Sequence, residues 1–423
     1  MARMDLTNCF GLVNGKWIGE PPAYVQKALR PGASEVPRPT LIQWVKNAPW
    51  ILITSPNFVW ACVALMLYGV FPYQLGPAST AATAPVSLLF FMERFPLWFT
   101  VTIGYAAFWY GVLYFQGAAT RPFIQARTYN LDKVGHNLAW TTSGVAIWTI
   151  FENLFCYLWA SGRLAYIPDV TSFGSVGGAL AFAAALAAVP LWRSFHFYWA
   201  HRFLHMDAVY KQVHSLHHRN TDVEPFSGLC MHPVEHLYYF ACIAPSLVFY
   251  CSPFAFLWNG VHLLLSPAAS HSGYEDHFQS DVFHYMHHRY FECNYAGTDA
   301  AFMDLFFGTF KGSFDEIDRL EDPSPREDAK STLSGYPTLE FSVYLGTSAL
   351  CMIPMGLSSF SSSVVTGLGP VALAPLVSSC FQSRRGIAPS KMSAIGNSIH
   401  ILMGFLCCCL PIAYLSWLCR MEY

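Results

Sequence analysis

The chain has 423 residues, 54% of them hydrophobic and 12% charged, with a formal net charge of −2. That is about half the charged share usual in a soluble protein, too little to cover a soluble surface of this size, so much of the surface is expected to face hydrocarbon. The balanced charge, with no basic block, argues against a nucleic-acid partner. The 13 cysteines lie mostly in apolar runs with no C-x-x-C pair, which argues against a disulfide framework or thiolate zinc site.

Taken from the start, residues 1–50 are mixed and polar and are read as a cytosolic segment, because no apolar core follows a basic start as in a cleaved leader. A membrane span needs ~20 mostly apolar residues. Such runs lie at 51–73, 93–116, 138–160, 176–200 and 396–419, the first predicted to act as an uncleaved anchor. The stretch 237–265 is apolar but carries Pro245 and Pro253, and is expected to form one kinked span or a hairpin returning to the same face. Residues 339–378, broken by serines from Ser358 to Ser363, are predicted to form a second hairpin, after a solvated, charged loop at 315–338. Lysines and arginines cluster between these runs on one side, which positive charge assigns to the cytosol.

Of the 16 histidines, 14 fall between His196 and His288. His201 and His205 form an H-x3-H pair; His214, His217 and His218, and again His284, His287 and His288, form H-x2-H-H. Residues three and four apart share a helical face, so each cluster is expected to aim its imidazoles at one point. Neutral imidazole suits iron, zinc, copper or nickel. Eight imidazoles exceed what one ion takes, so two ions are predicted, and a two-metal centre that activates oxygen is one way to break an unactivated C–H bond.

His271, thirteen residues before the last cluster, is expected to be a ninth ligand. His232 is open between ligand and supporting residue, and Glu235 and His236 stand beside it as further metal-site or supporting candidates. His196, His262 and His277 are read as structural or supporting, and His136 and His400 as outside the site. A ligating histidine usually donates its other N–H to an acceptor, and Asp207, Asp222, Glu235, Asp281 and Asp299 are the nearby carboxylates. No catalytic residue beyond the metal ligands, and no cofactor-binding residue, is singled out.

The ordered set H-x3-H, H-x2-H-H, His232-Pro-Val-Glu235, His271-Ser-Gly-Tyr274, H-x2-H-H, Asn294-Tyr-Ala-Gly297 and Phe307-Gly-Thr-Phe310 resembles the fatty acid hydroxylase superfamily. That superfamily includes sterol C4-methyl oxidases, sterol C5-desaturases, sphingolipid hydroxylases and plant wax-forming enzymes. The H-S-G-Y and N-Y-A segments look most like the sterol C4-methyl oxidases. Fatty acyl 2-hydroxylases place a further histidine four residues before the position of His271; here Pro267 stands there.

The resemblance implies an iron pair held by His201, His205, His214, His217, His218, His271, His284, His287 and His288. Zinc would be a resting or substituted form. It also implies O2 as oxidant, electrons from NAD(P)H through a separate carrier such as cytochrome b5 or a reductase, and a multi-pass enzyme of the endoplasmic reticulum with its histidines facing the cytosol. No H-P-G-G element or Rossmann-type glycine fingerprint occurs, so the electron carrier is expected to be a separate protein.

The fold class expected is all-α: a polytopic transmembrane helical bundle with a cytosolic helical cap carrying the dimetal site. Its parts are a segment 1–50, spans in 51–187, a catalytic region 188–314, the loop 315–338 and a C-terminal extension 339–423. The function expected is oxidation of a sterol or sterol precursor taken from the bilayer. Squalene epoxidation, sphingolipid or fatty acyl hydroxylation, and a non-enzymatic metal transporter or sensor are the alternatives.

Overall fold

A computed structural model describes residues 12–13, 16–17, 56–117, 119, 122–123, 131–166, 176–247, 252–274, 281–296, 303–304, 307, 309 and 401–420. The loop 315–338, the predicted hairpin 339–378, and His277, Asp299 and His400 lie outside these residues. Apart from a short antiparallel pairing of Leu12–Val13 with Lys16–Trp17, the regular structure among the described residues is helical.

The principal helices are α1 (Pro56–Val70), α2 (Leu88–Tyr110), α3 (Leu131–Ala160), α4 (Val176–Leu204), α5 (Asp207–Gln212), α6 (Pro233–Phe240), α7 (Pro253–Ser270), α8 (Val282–Tyr290) and α9 (Leu410–Arg420). Ser87 starts α2 by accepting from Phe90 N, satisfying a backbone donor that the first turn leaves open. A π-helical turn, Gly111–Phe115, extends it.

Helix α7 is the central element: α1 and α2 pack on it, and α3 packs on α2 and α6. Its residues from Pro253 to Leu265 are all buried, as expected for a helix apolar all round. Gly260 admits the Trp148 ring so closely that a Cβ there would lie 2.1 Å from it. Trp98 and Phe240 meet Trp148 edge-on while Phe256 stacks on it, forming the aromatic centre of the core.

One charged network is buried in this core. Glu152 on α3 accepts from Arg94 Nη2 and from Tyr73 Oη, each at 2.7 Å, and its other oxygen accepts from Trp98 Nε1 at 2.7 Å and Arg94 Nε at 3.2 Å. Both carboxylate oxygens are thus satisfied by protein donors.

The described residues bear on two expectations. The stretch 237–265 is not one continuous helix. Helix α6 passes into a tight 3₁₀ run, Ala241–Leu247, containing Pro245, and a new helix begins at Pro253, capped by Ser252. Proline lacks the N–H an interior position needs but fits a first turn, which is why the break falls there. Secondly, among the described residues one helix, Leu88–Phe115, is both long and apolar enough to cross a membrane, with Val59–Val70 a shorter apolar one. Helix α3 has the length but is diluted by Asn137, Thr141, Thr142, Thr149, Glu152 and Asn153.

Candidate metal centre

The cap region is built from short elements. Helix α4 ends by presenting His201 and His205 from successive turns, α5 follows, and His214–Arg219 winds as a 3₁₀ helix. Asp281 caps α8 by accepting from His284 N at 2.9 Å, fixing the turn that bears His284, His287 and His288. His271 lies just beyond the end of α7.

These elements bring all nine predicted ligand histidines together, in two adjoining groups. His201, His205, His214, His218 and His287 form one; His217, His271, His284 and His288 form the other; all nine are buried, and within each group the candidate ligand atoms lie within 4.8 Å of one another. The H-x3-H pair, His201 and His205, shares one group as expected, but the expectation that each H-x2-H-H motif aims at a single point is corrected. In the first H-x2-H-H, His214 and His218 join the five-membered group and His217 the four-membered one; in the second, His284 and His288 join the four and His287 the five. The i, i+4 pair shares one group, and the intervening i+3 ring crosses to the other. Each H-x2-H-H motif therefore bridges the two groups, and the His218 and His288 rings lie 4.7 Å apart.

Proton counting tests whether the groups fit a cation. His218 Nε2 lies 3.1–3.2 Å from the Nε2 atoms of His205, His214 and His287, and His205 and His287 face each other at 3.2 Å. In the other group, His271 Nε2 is 3.1 Å from His288 Nε2 and 3.2 Å from His284 Nε2. One ring nitrogen can donate at most one hydrogen, so these contacts cannot all be hydrogen bonds.

The outer nitrogens sharpen the point. Nδ1 of His201, His217, His271 and His287 faces the carbonyls of Tyr295, Cys230, Pro267 and Cys293 at 2.5, 3.3, 2.9 and 2.7 Å. A carbonyl only accepts, so each Nδ1 carries the hydrogen and each Nε2 is a bare lone pair. Converging lone pairs repel unless a cation sits among them. Metal–nitrogen bonds of about 2.0–2.1 Å would set neighbouring ligand nitrogens roughly 3–3.4 Å apart, as seen here. The donor set fits transition-metal ions of the imidazole-binding type.

Burial makes this set chemically ready. Desolvation holds His201, His205, His218, His271, His284, His287 and His288 well below the ordinary 6.5, with neighbouring imidazoles adding to the effect, and lowers His214 to about 3 and His217 to about 4. All nine are therefore neutral, the ligand form, at physiological pH.

Glu235 backs a histidine of the groups: its Oε1 lies 2.8 Å from His214 Nδ1. Burial pushes Glu235 up to about 8, and a cation behind His214 would favour its ionised form. Asp281 acts as the helix cap, and Asp222 pairs with Lys133. His232 belongs to neither group. It caps α6 by accepting from Val234 N at 3.2 Å and stacks on Trp140. His236 is also apart from them, stacked on Phe240. Of the residues read as structural, His196 lies 3.0 Å from the Cys407 carbonyl through Nε2, and His262 meets Trp60 edge-on.

Sequence reasoning missed the backing carbonyls and the residue that holds two of them. Asp304 accepts from Tyr295 N, Ala296 N and Thr309 Oγ1 at 2.9, 2.9 and 2.7 Å, clamping the strip 293–296 whose carbonyls support His201 and His287. The only signal was that Asn294-Tyr-Ala and Phe307-Gly-Thr-Phe recur in the resemblance.

A cavity of about 120 Å³ opens against the histidines. His201, His214, His217, His271 and His284 line one part of it, and Phe197, Leu204, Met231, Leu263, Trp60, Arg193, His196 and His262 line the remainder with others.

Residues 186–309 match the family described as fatty acid hydroxylase. The chain is 26% identical over 136 residues to a Delta(7)-sterol 5(6)-desaturase of Gibberella zeae, covering 30% of this chain and 41% of that one. It is 37% identical over 135 residues to a very-long-chain aldehyde decarbonylase of Oryza sativa subsp. indica, covering 28% and 48%. It is 34% identical over 134 residues to methylsterol monooxygenase 2-2 of Arabidopsis thaliana, covering 28% and 49%. The chain thus spans less than half the length of each of these three relatives. No solved structure matches. The region similar to the fatty acid hydroxylase family contains all nine histidines of the two groups.

Proposed function

We propose that this chain is a membrane-embedded oxidoreductase that uses O2 and two iron ions to oxidise a sterol or sterol precursor, by hydroxylation or desaturation of the C4-methyl-oxidase or C5-desaturase type. The observation that carries the reading is the division of nine buried imidazoles into two adjoining groups whose lone pairs converge. His201, His205, His214, His218 and His287 would hold one ion, and His217, His271, His284 and His288 the other. An iron pair so held supplies oxygen activation and the oxidation of an unactivated C–H bond.

The protein's own part is positional. Carbonyls at Tyr295, Cys230, Pro267 and Cys293 orient four rings and keep their Nε2 atoms toward the centre. Apolar side chains of Phe197, Leu204, Met231 and Leu263 keep the cavity dry and fit a hydrocarbon skeleton. Arg193, His196 and His262 in its wall favour a lipid carrying an oxygen over a hydrocarbon such as squalene. Two of the relatives above are named for sterol oxidation, which supports the same class.

The membrane setting is part of the proposal. The outward-facing apolar side chains Leu65, Met66 and Val70 on α1, Leu88, Leu89, Met92 and Phe108 on α2, and Ile401, Leu402 and Leu410 near the C-terminus suit contact with lipid. A multi-pass arrangement of 51–187 around a cytosolic catalytic region 188–314, in the endoplasmic reticulum, with electrons from NAD(P)H through a separate carrier, completes the reading.

Metal analysis of the purified protein, joined to lipid profiling of sterol-pathway mutant hosts expressing it, tests the proposal. Two irons per chain and rescue of a C4-demethylation or C5-desaturation defect are expected. One zinc per chain with hydrolytic turnover would overturn it.

A further inference from the structure

The cavity touches only part of the histidine assembly. His205, His218, His287 and His288 are not in its wall, and behind His205 and His218 aromatic rings continue outward. Tyr210 lies with its ring 5.5 Å from His205 and 5.7 Å from His218, and the Phe291 ring is 4.9 Å from His218. Both residues are half-buried, so each ring reaches from a candidate ligand to the surface.

Phe291 sits at φ 64°, just past the end of α8, a left-handed conformation that a bulky side chain rarely adopts. Glycine or asparagine would make the same turn with less strain, so the turn itself does not require this ring. Its N–H still bonds the His287 carbonyl at 2.7 Å. Exposed cations stand close by in the chain: Lys211 next to Tyr210, Arg219 next to His218, which both rings touch, and Arg289 two residues before Phe291. The nearby Glu292 carboxylate turns to the Tyr295 hydroxyl at 2.7 Å.

We propose that Tyr210 and Phe291, rimmed by Lys211, Arg219 and Arg289, form the surface on which an acidic one-electron carrier protein docks to reduce the metal centre. The inference rests on the oxidoreductase reading. A hydroxylation balances as R–H + O2 + 2 e⁻ + 2 H⁺ → R–OH + H2O, so two electrons must come from a reduced carrier, which leaves oxidised by one electron at each of two encounters. Electron transfer weakens steeply with distance, and these rings give contact from the surface to the ligands. Substrate and carrier would use different faces, so docking leaves the dry cavity closed to water. A basic rim selects an acidic partner and speeds its encounter at low salt.

The test uses the full-length, metal-loaded protein with the soluble haem domain of cytochrome b5 as the acidic carrier and cytochrome c as a basic control. Carrier binding is followed against ionic strength, haem oxidation by stopped flow, and turnover also with dithionite in place of the carrier. The K211E/R289E double variant is expected to bind the acidic carrier on the order of tenfold more weakly at low salt, with dithionite-driven turnover unchanged. Phe291→Ala is expected to slow haem oxidation at saturating carrier by about tenfold. Lys211→Glu alone, on the short helix α5, covers the case in which the other variants do not fold. Wild-type affinity in the charge reversals, binding insensitive to salt, or equal binding of cytochrome c would overturn the proposal. Loss of turnover with both carrier and dithionite in the wild type would instead sink the oxidoreductase reading; binding, which needs no chemistry, decides the surface independently.

Discussion

Among the buried polar assemblies of the described residues, two are built on opposite principles. Around Glu152, every carboxylate oxygen meets a donor from Arg94, Trp98 or Tyr73, so the network is complete as protein alone. Around the histidines, donors point outward to backbone carbonyls and Glu235, while the inner nitrogens face one another as acceptors without protons enough to share. The first assembly ties helices together. The second is left incomplete by the protein and calls for a cation.

That contrast can be broken in graded ways. The largest effect is expected from His217→Ala or His287→Ala, one from each group: each should abolish turnover and lower bound metal, as read by metal analysis, while the protein still inserts in membranes. Full activity in either would contradict the assignment of that group. Stripping metal with a chelator should lower the melting temperature of the wild type markedly, because a ligand that binds only the folded state stabilises it by mass action. The Glu152 network predicts no metal dependence of its own.

Glu152→Ala should leave Arg94 as an uncompensated buried charge and cost about 3–5 kcal/mol of stability, with metal still bound in whatever fraction folds; denaturation and metal analysis on one preparation separate the two. Glu235→Ala is expected to do the reverse. It should weaken metal affinity by roughly 10–100-fold through loss of the support to His214, measured by competition with a chelator, with a smaller change in folding. The mildest change is Tyr73→Phe, which removes one charge-assisted hydrogen bond to Glu152 and should cost roughly 1.5–3 kcal/mol without moving metal affinity.

A subtler variant addresses the seam between the groups and the core. Gly228 lies against Pro267, and a Cβ there would come 2.3 Å from the carbonyl oxygen that holds His271. Gly228→Ala is thus expected to loosen the four-histidine group specifically, visible as loss of one metal before the other on titration with a chelator.

Much of the site could be read along the chain. H-x3-H and two H-x2-H-H elements, with His271 between them, sufficed to nominate the nine residues that the fold brings together, because imidazole clusters at helical spacing are uncommon and carry a direct chemical meaning. Helix lengths were less legible. Pro245 and Pro253 announced a break but not its form, and α3, read as a span, carries enough amide and hydroxyl groups to fall below the apolarity a lone membrane helix needs.

The sequence by itself determined which side chains could bind metal and that the chain is poor in charge, since both follow from side-chain chemistry and composition. Only the tertiary structure decided how the histidines divide, with His217 and His287 crossing between groups. It also decided which partners hold them: Glu235, and carbonyls kept in place by Asp304 or offered by Pro267. The physical reason is that a lone pair's direction depends on where the ring's other nitrogen finds its acceptor. Those acceptors are mostly backbone oxygens, which every residue possesses and no sequence pattern marks.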